Sequence, residues 1–505
     1  MNKKHFKVIA LAVVLVLSLT TLVACNNYKW DSIGGGNPDK ASVSNGGYVV
    51  EQGEYIYFIN GFVGDVTDNE WGKAVKQSIV RAKRDAEGNV INSTVKIVVP
   101  KVISNKSVNG GFAIFGNWIY YATPNTEEDK AGKPSTTHTD FMRTSLDAKT
   151  TQRIGTINSR EAEYFFTPSR VFYFLNKTIS YIDFSGMKGN KPINDGKGAV
   201  GGTLAENVEN VLWKYDSSYL AGQGAEVTDY IFYTQTLTGD NSFEAYNNTY
   251  AVKYDGSGLK TLITKDTFLT QAEKDDIKAS PSNVYKYQNK IATVQLNDVF
   301  VEADGNATLY YSKKHKINEE AFDTACLYMA KFNFATGELD ITTEKQLTVL
   351  ATTFIYPLGY AVGAIAVTGG DFTLYDGNTA HGKAPAVLIS GNTIQAVIAG
   401  TVYFTASGAT ELSAIKLPKW SEQDSKWVSS ENAKKVIGEP IKADWLKLEF
   451  IGTKFYFVNT KYSYVHFIDM ATFNPDVKDA KSTLIGQMTE EDAKQKAEDE
   501  KKAAE

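Results

Sequence analysis

An aromatic-rich phrase that recurs along most of the chain limits what it can fold into more than any other feature. Its copies are Tyr55-Ile56-Tyr57-Phe58, Trp118-Ile119-Tyr120-Tyr121, Val171-Phe172-Tyr173-Phe174, Tyr230-Ile231-Phe232-Tyr233, Leu309-Tyr310-Tyr311, Val402-Tyr403-Phe404 and Phe455-Tyr456-Phe457. Most follow a turn residue, as in Gly116-Asn117, Gly400-Thr401 and Gly452-Thr453. After a loop comes a second strand-like run that ends in a turn, as in Thr178 to Asp183, Thr249 to Tyr254, Leu327 to Phe334 and Tyr464 to Asp469. Successive side chains of a strand point to opposite faces, so a strand with one wet face alternates apolar with polar residues. In this phrase both faces are large and apolar, and the sheets it builds must be covered on both sides.

The copies lie about 50 to 80 residues apart, with one gap of roughly 90 between Leu309 and Val402. Inside that gap, Ala364 to Val367 and Phe372 to Tyr375 are candidate pieces of a degenerate copy. Seven or eight repeats result, each long enough for four short strands, which is the content of a propeller blade. The expected fold is therefore all-β, a single β-propeller of seven or eight four-stranded blades spanning 46–487. The alternative is two or three β-sandwich domains, whose strands would each show a wet face.

The ends of the chain differ from this middle. Lys3, Lys4 and Lys7 precede an apolar run from Val8 to Leu17, and the segment closes on Leu22-Val23-Ala24-Cys25. Charge, length and small residues mark 1–24 as a signal peptide, and the apolar run is short for a membrane span, which needs about 20 residues. Leu-Val-Ala-Cys resembles the lipobox of bacterial lipoproteins. That resemblance implies cleavage before Cys25 and acylation of its thiol, placing the mature chain on the extracytoplasmic face of a membrane. Residues 25–45, with Gly34-Gly35-Gly36 and Pro38, read as a flexible tether. At the far end, 488–505 is almost entirely Glu, Asp, Lys and Ala and is expected as a charged solvated tail, helical if Thr489 and Asp492 act as a capping box.

Only two cysteines are present, so a lipidated Cys25 leaves Cys326 without a disulfide partner. A mature chain of about 480 residues is long enough to be stable by burial alone. The net charge of −5 offers no basic stripe for nucleic acid. His138, His315, His381 and His466 are not paired at metal-ligand spacing, so no metal or cofactor is expected; they read as polar loop residues, with His466 half-buried in a strand. Gly196 to Gly201 matches a dinucleotide-binding string but lacks the strand and helix that make it work, and reads as a connection between blades. Asp255-Gly256, Asp304-Gly305 and Asp376-Gly377 read as hairpin turns, and Cys326 as a small buried strand residue.

Gly116-Asn117-Trp118-Ile119-Tyr120-Tyr121 and Tyr254-Asp255-Gly256-Ser257-Gly258-Leu259-Lys260-Thr261-Leu262-Ile263 resemble the repeats of bacterial propeller lipoproteins of unknown function, related to the YWTD-type and TolB-type propellers. The resemblance runs from about Tyr48 to Ile485 and is poor between Leu339 and Ile398. It implies fold and location and brings no catalytic residues.

If the aromatic phrase is the second strand of each blade, four connections to the third strand are long: Ile59 to Gln77, Thr123 to Thr139, Thr234 to Asn248 and Ser312 to Thr324. Loops on a rigid scaffold collect binding residues, and these four share one rim. Phe62, Trp71, Asp65, Asp68, Phe243, Tyr246, Asp240 and Phe322 are the candidate binding residues there. Aromatic rings for stacking and carboxylates for hydrogen bonding suit a glycan, or an envelope protein partner. Trp420 and Trp427 fall in a different insertion, after a third strand, and are expected on the opposite side. The functional expectation is a monomeric, membrane-anchored binding or scaffold protein. The alternatives are a carbohydrate-active lyase or hydrolase with carboxylates near the propeller axis, and a sensor or assembly factor.

Overall fold

In the computed structural model each copy of the aromatic phrase is the second strand of a four-stranded antiparallel meander. The structure describes residues 48–504 apart from 62–75, 104–110, 126–136, 188–199, 214–229, 239–244, 288–293, 303, 305, 316–323, 349–354, 369–370, 377–385, 391, 399, 407–411, 425, 429–433, 438–448, 452–453, 460–462 and 470–481. The described residues form eight such sheets, one after another along the chain, so the fold is a β-propeller. Blade 1 runs from Val49 to Val99, blade 2 from Phe112 to Ile157, blade 3 from Glu163 to Ala205 and blade 4 from Val208 to Ile263. Blade 5 runs from Gln295 to Gln346, blade 6 from Ile355 to Ser390, blade 7 from Asn392 to Ile437 and blade 8 from Glu449 to Leu484. Both runs in the long gap belong to one blade: Ala364–Thr368 and Asp371–Tyr375 are paired strands of blade 6.

The two-sided apolar pattern has the consequence expected of it. Every residue of Tyr55–Ile59, Phe112–Phe115 and Lys454–Val458 is buried, because each sheet is sandwiched between its neighbours. Alternate residues of one strand serve different seams. Ile119 and Tyr121 join the core shared with blade 1, whereas Tyr120 and Ala122 join the core shared with blade 3.

A second repeated position locks the seams. The residue after, or at the end of, a third strand inserts between its own blade and the preceding one. Phe184 stacks on Tyr120 at 5.4 Å, Tyr254 meets Phe165 at 5.2 Å, and Phe334 stacks on Tyr230 at 5.1 Å. Leu146, Tyr375 and Leu417 occupy the same place in blades 2, 6 and 7. The backbone fixes these plugs, with Leu146 N, Phe184 N and Leu417 N donating to Asn117 O, Ser169 O and Gly400 O in the first turn of their own blade.

Equivalence extends to buried cations. Arg81 and Arg143, opposite Tyr57 and Tyr120 on the third strands of blades 1 and 2, lie 4.8 and 4.3 Å from the rings of Tyr55 and Trp118. An arginine can be only 1 % exposed, as Arg81 is, when its flat guanidinium rests on an aromatic face.

Ring closure uses no exchanged strand among the described residues, since blade 1 and blade 8 each take their four strands from one continuous stretch. Two asparagines of blade 1 do the joining. Asn60 Nδ2 donates to Gln487 O at 2.9 Å while Gln487 N donates to Asn60 Oδ1 at 2.9 Å. Asn92 Nδ2 donates to Leu484 O at 2.9 Å and its Oδ1 accepts from Gly486 N at 3.1 Å. Each side-chain amide thus pairs with backbone as a neighbouring strand would. Tyr48 Oη donates to Tyr456 O at 2.7 Å, and Tyr456, Val458, Val465 and Phe467 of blade 8 share the core of blade 1.

Three expectations need correction. Val200 and Gly201 open the fourth strand of blade 3, so the glycine string joins strands within a blade instead of linking blades; 196–199 lie outside the described residues. A Cβ at the adjacent Gly202 would sit 2.4 Å from the Tyr181 ring, so any side chain there would displace that ring. Thr234–Thr238 and Ala245–Asn248 are strand, not loop: the nine-residue strands Tyr230–Thr238 and Ala245–Lys253 pair along their whole length, carried on by β-branched and aromatic residues. His315 closes the strand Ala307–His315 and is not a loop residue. His466 is a half-buried strand residue, its Nδ1 2.8 Å from Ser482 Oγ, and Cys326 is a buried strand residue.

Candidate binding rim

In a meander, second strands end, third strands begin, fourth strands end and first strands begin at one edge. The eight blades therefore send all of these points to one side of the ring, the upper rim, and their other turns to the lower rim. The chain enters at the upper rim, since Tyr48 O accepts from Ile59 N at the end of the second strand of blade 1. It also leaves there, since Gln487 binds Asn60, the next residue.

Of the eight candidate residues, Phe62, Trp71, Asp65, Asp68, Phe243, Asp240 and Phe322 lie outside the described residues. The strand ends that carry them do fall on the upper rim, at Ile59 and Ile79, at Thr238 and Ala245, and at His315 and Thr324. Tyr246 is described and sits within a strand, paired with Leu237, its ring 5.2 Å from Lys265 Nζ. The Trp420 and Trp427 insertion is a hairpin, Lys419–Ser421 with Lys426–Val428, between the third and fourth strands of blade 7, hence on the lower rim. Its two indoles are a cross-strand pair at 5.5 Å.

The upper rim carries two elaborations that reading only the second-to-third connections missed. The link from blade 4 to blade 5 holds a helix, α1 (Gln271–Ala279), followed by a 3-10 helix, Pro281–Tyr287, neither with a buried residue. A capping box starts α1: Thr270 Oγ1 accepts from Glu273 N at 3.3 Å and Glu273 Oε2 accepts from Thr270 N at 2.7 Å. Thr270-x-x-Glu273 was the available signal. Asp276 ties the two helices, accepting from Asn283 Nδ2 and Tyr287 Oη, both at 2.9 Å, and from Lys286 Nζ at 3.3 Å. The base of the insertion is held by Lys313, whose Nζ lies 4.1 Å from the Phe268 ring and 4.3 Å from that of Tyr328, and 2.5 Å from Glu344 Oε1.

The second elaboration is the C-terminal helix α2 (Glu490–Ala504), started by the Thr489 half of the expected capping box, with Asp492 N donating to Thr489 Oγ1 at 3.2 Å. Its body is charged and largely exposed, but its first turn is bound to the rim. Asp492 Oδ2 accepts from Lys76 Nζ at 3.0 Å, from Tyr464 Oη at 2.7 Å and from Thr489 Oγ1 at 2.8 Å. Burial pushes the Asp492 carboxyl up, but these hydrogen bonds and the Lys76 charge outweigh it and hold the group below its ordinary value of 3.8. A carboxylate depressed on folding stabilises above its unfolded pKa, and that contribution is lost as pH falls through the folded one. Docking of α2 should therefore persist at neutral pH and weaken below about pH 4. Hydrogen exchange of the amides of 489–494 checks this: protection at pH 7 that drops faster on acidification than in the blades is expected.

The other carboxylates with displaced titration are displaced the same way. Asp85 is held low by the Asn89 backbone amide, Asp255 by Ser257 and Asp304 by the Asn306 amide, all within tight turns of the lower rim. Near the upper end of blade 2, buried Asp140 accepts from Asn125 Nδ2 at 2.8 Å and Thr156 Oγ1 at 2.5 Å. Among the described residues no group of three or more His, Cys, Asp and Glu side chains could hold a metal ion, and no helix is long and apolar enough to cross a membrane.

No protein-family model and no curated protein matches the chain. Solved structures similar to it include the β-propeller domain of the Trilobed protease from Pyrococcus furiosus, at 7% identity and a TM-score of 0.33, covering 78% of this chain and 96% of that one. Hsv2 from Kluyveromyces lactis is similar at 10% identity and a TM-score of 0.33, covering 72% and 94%. The periplasmic gluconolactonase PpgL of Pseudomonas aeruginosa is similar at 10% identity and a TM-score of 0.31, covering 86% and 96%.

Proposed function

We propose that the chain is a membrane-anchored, extracytoplasmic binding or scaffold protein that presents the upper rim of its propeller to a glycan or an envelope protein. The observation that carries this reading is that the two longest connections of the ring, 60–78 and 264–294 with α1, lie on the upper rim together with the docked first turn of α2, while the lower rim holds shorter insertions at 184–199, 214–229 and 417–433. The chain enters on that same rim. Lipid on Cys25 supplies the anchor, and two acyl-bearing groups hold a protein durably where one chain does not. The stretch from Cys25 to Tyr48 reaches at most about 80 Å when fully extended, which bounds how far the rim can stand from the membrane surface.

Two measurements on the full-length protein test the proposal. Metabolic labelling with an alkyne fatty acid should mark the wild-type chain and leave Cys25→Ser unlabelled and released from the membrane fraction. Equal labelling of both would overturn the anchor. On a glycan array, Trp71→Ala with Phe62→Ala should weaken binding at least tenfold. Silence against every glycan, together with no envelope protein captured by a photo-crosslinker at Trp71, would overturn the rim.

A further inference from the structure

The outer part of the seam between blades 5 and 6 holds an arrangement that neither the fold nor the rim explains. Tyr360, in the first turn of blade 6, has Lys345 Nζ 4.1 Å and Lys331 Nζ 4.7 Å from its ring centroid. The ring is fixed at both ends: Tyr360 Oη donates to Thr343 O at 2.7 Å, and Tyr360 N donates to Glu302 Oε1 at 2.8 Å. The platform is built by an interruption of the sheet. Lys331 pairs with Asp340 and Met329 with Lys345, so 341–344 bulge out of the fourth strand of blade 5 and arch over the tyrosine. Asp340 is engaged in holding that bulge, accepting from Thr342 N at 3.0 Å and Thr342 Oγ1 at 2.5 Å.

Neither ammonium has a carboxylate within ion-pair distance among the described residues. Burial lowers the Lys345 pKa, against the pull of Asp376, and the neighbouring Lys331 charge lowers it further. Like charges on one ring destabilise each other, and because Asp376 and Asp304 act on Lys345 and Lys331 only from beyond ion-pair distance, a bound anion relieves them. The edges of the platform, Ile341 and Val362, are 46% and 43% exposed, leaving the approach open.

We propose that Lys331, Lys345 and Tyr360 form an anion-binding site for a phosphate group. The oxygens of a phosphate can accept from the ammoniums, while the tyrosine ring holds the two cations in place. The site is distinct from the upper rim, and its test does not depend on it.

Binding is measured by calorimetry on the full-length protein at low salt with three probes: inorganic phosphate, linear polyphosphate, and phosphatidylglycerol vesicles compared with phosphatidylcholine vesicles. These separate a free ion, a polymer and a lipid headgroup as the source. At least one probe should bind the wild type, with each of Lys331→Gln and Lys345→Gln weakening it about tenfold and the double variant abolishing it. Lys494→Gln, on the exposed face of α2, should bind as wild type. Both seam lysines reach solvent, so thermal unfolding of the double variant should match wild type. Bound phosphate should also slow acylation of Lys345 by acetic anhydride. Binding of none of the three probes, or undiminished binding by the double variant, would overturn the assignment.

Discussion

Phe141→Ala should lower the stability of the ring by about 3–5 kcal/mol, the usual cost of deleting a large aromatic side chain from a packed interior. Phe141 is wholly buried in the seam between blades 2 and 3, with the rings of Tyr164, Phe166 and Tyr173 at 5.6, 5.8 and 6.2 Å. Those rings belong to a different sheet, so collapse around the cavity would require one blade to move against another. Urea unfolding followed by tryptophan fluorescence reads the effect as a lower midpoint. If the closed ring unfolds as one unit, the denaturant slope stays unchanged. A loss below 1 kcal/mol would mean that the seam is not packed as described.

The second large effect is expected at the closure. Asn60→Ala with Asn92→Ala removes four hydrogen bonds that join blade 1 to the backbone of Leu484, Gly486 and Gln487. Groups left without a partner cost about 1–3 kcal/mol each when buried. The Asn92 bonds are exposed and the Asn60 bonds half-buried, so water takes over part of the loss and a combined destabilisation of about 2–4 kcal/mol is expected. It should be local first, with exchange of the Gly486 and Gln487 amides rising well before the rest of the ring opens. Asn60→Asp keeps the acceptor for Gln487 N and removes the donor to Gln487 O, and should show roughly half the Asn60→Ala effect. Equal exchange in the wild type and the double variant would show that other contacts close the ring.

These two sites differ in how far the sequence discloses them. Of the rings that meet Phe141 only Tyr173 belongs to the recurring aromatic phrase, which is legible because burial on both faces writes a pattern with no polar alternation, as in Tyr55 to Phe58. Phe141 itself lies on Thr139–Ser145, where Thr, Asp and Arg interrupt that pattern. The plug residues were present but unread: Leu146 before Asp147-Ala148, Phe184 before Ser185-Gly186 and Tyr254 before Asp255-Gly256 are large apolar residues placed just ahead of a turn, where a surface residue would be polar. Blade 6 was half-read because its second strand, Ala364–Thr368, is aliphatic and lacks the aromatic phrase. Closure was not legible at all. Asn60 and Asn92 pair with backbone about 400 positions away, and asparagine in a loop or edge strand has no distinguishing neighbours.

The candidate rim divides in the same way. That second strands end on one side of the ring follows from the repeat, and Trp420 and Trp427 follow as lower-rim residues. The fate of Tyr246 did not, because Thr, Tyr and Asn after Tyr230 suit an extended hairpin as well as a loop. Lys331, Lys345 and Tyr360 come from two blades and meet only through a bulge, and no local spacing marks them.

Electron microscopy of the purified protein, averaged down the ring axis, tests the closed ring most directly. Eight lobes around a single axis, with blade 8 abutting blade 1, are expected. Two or three separate compact bodies, or an open arc with a gap between the first and last sheets, would contradict it.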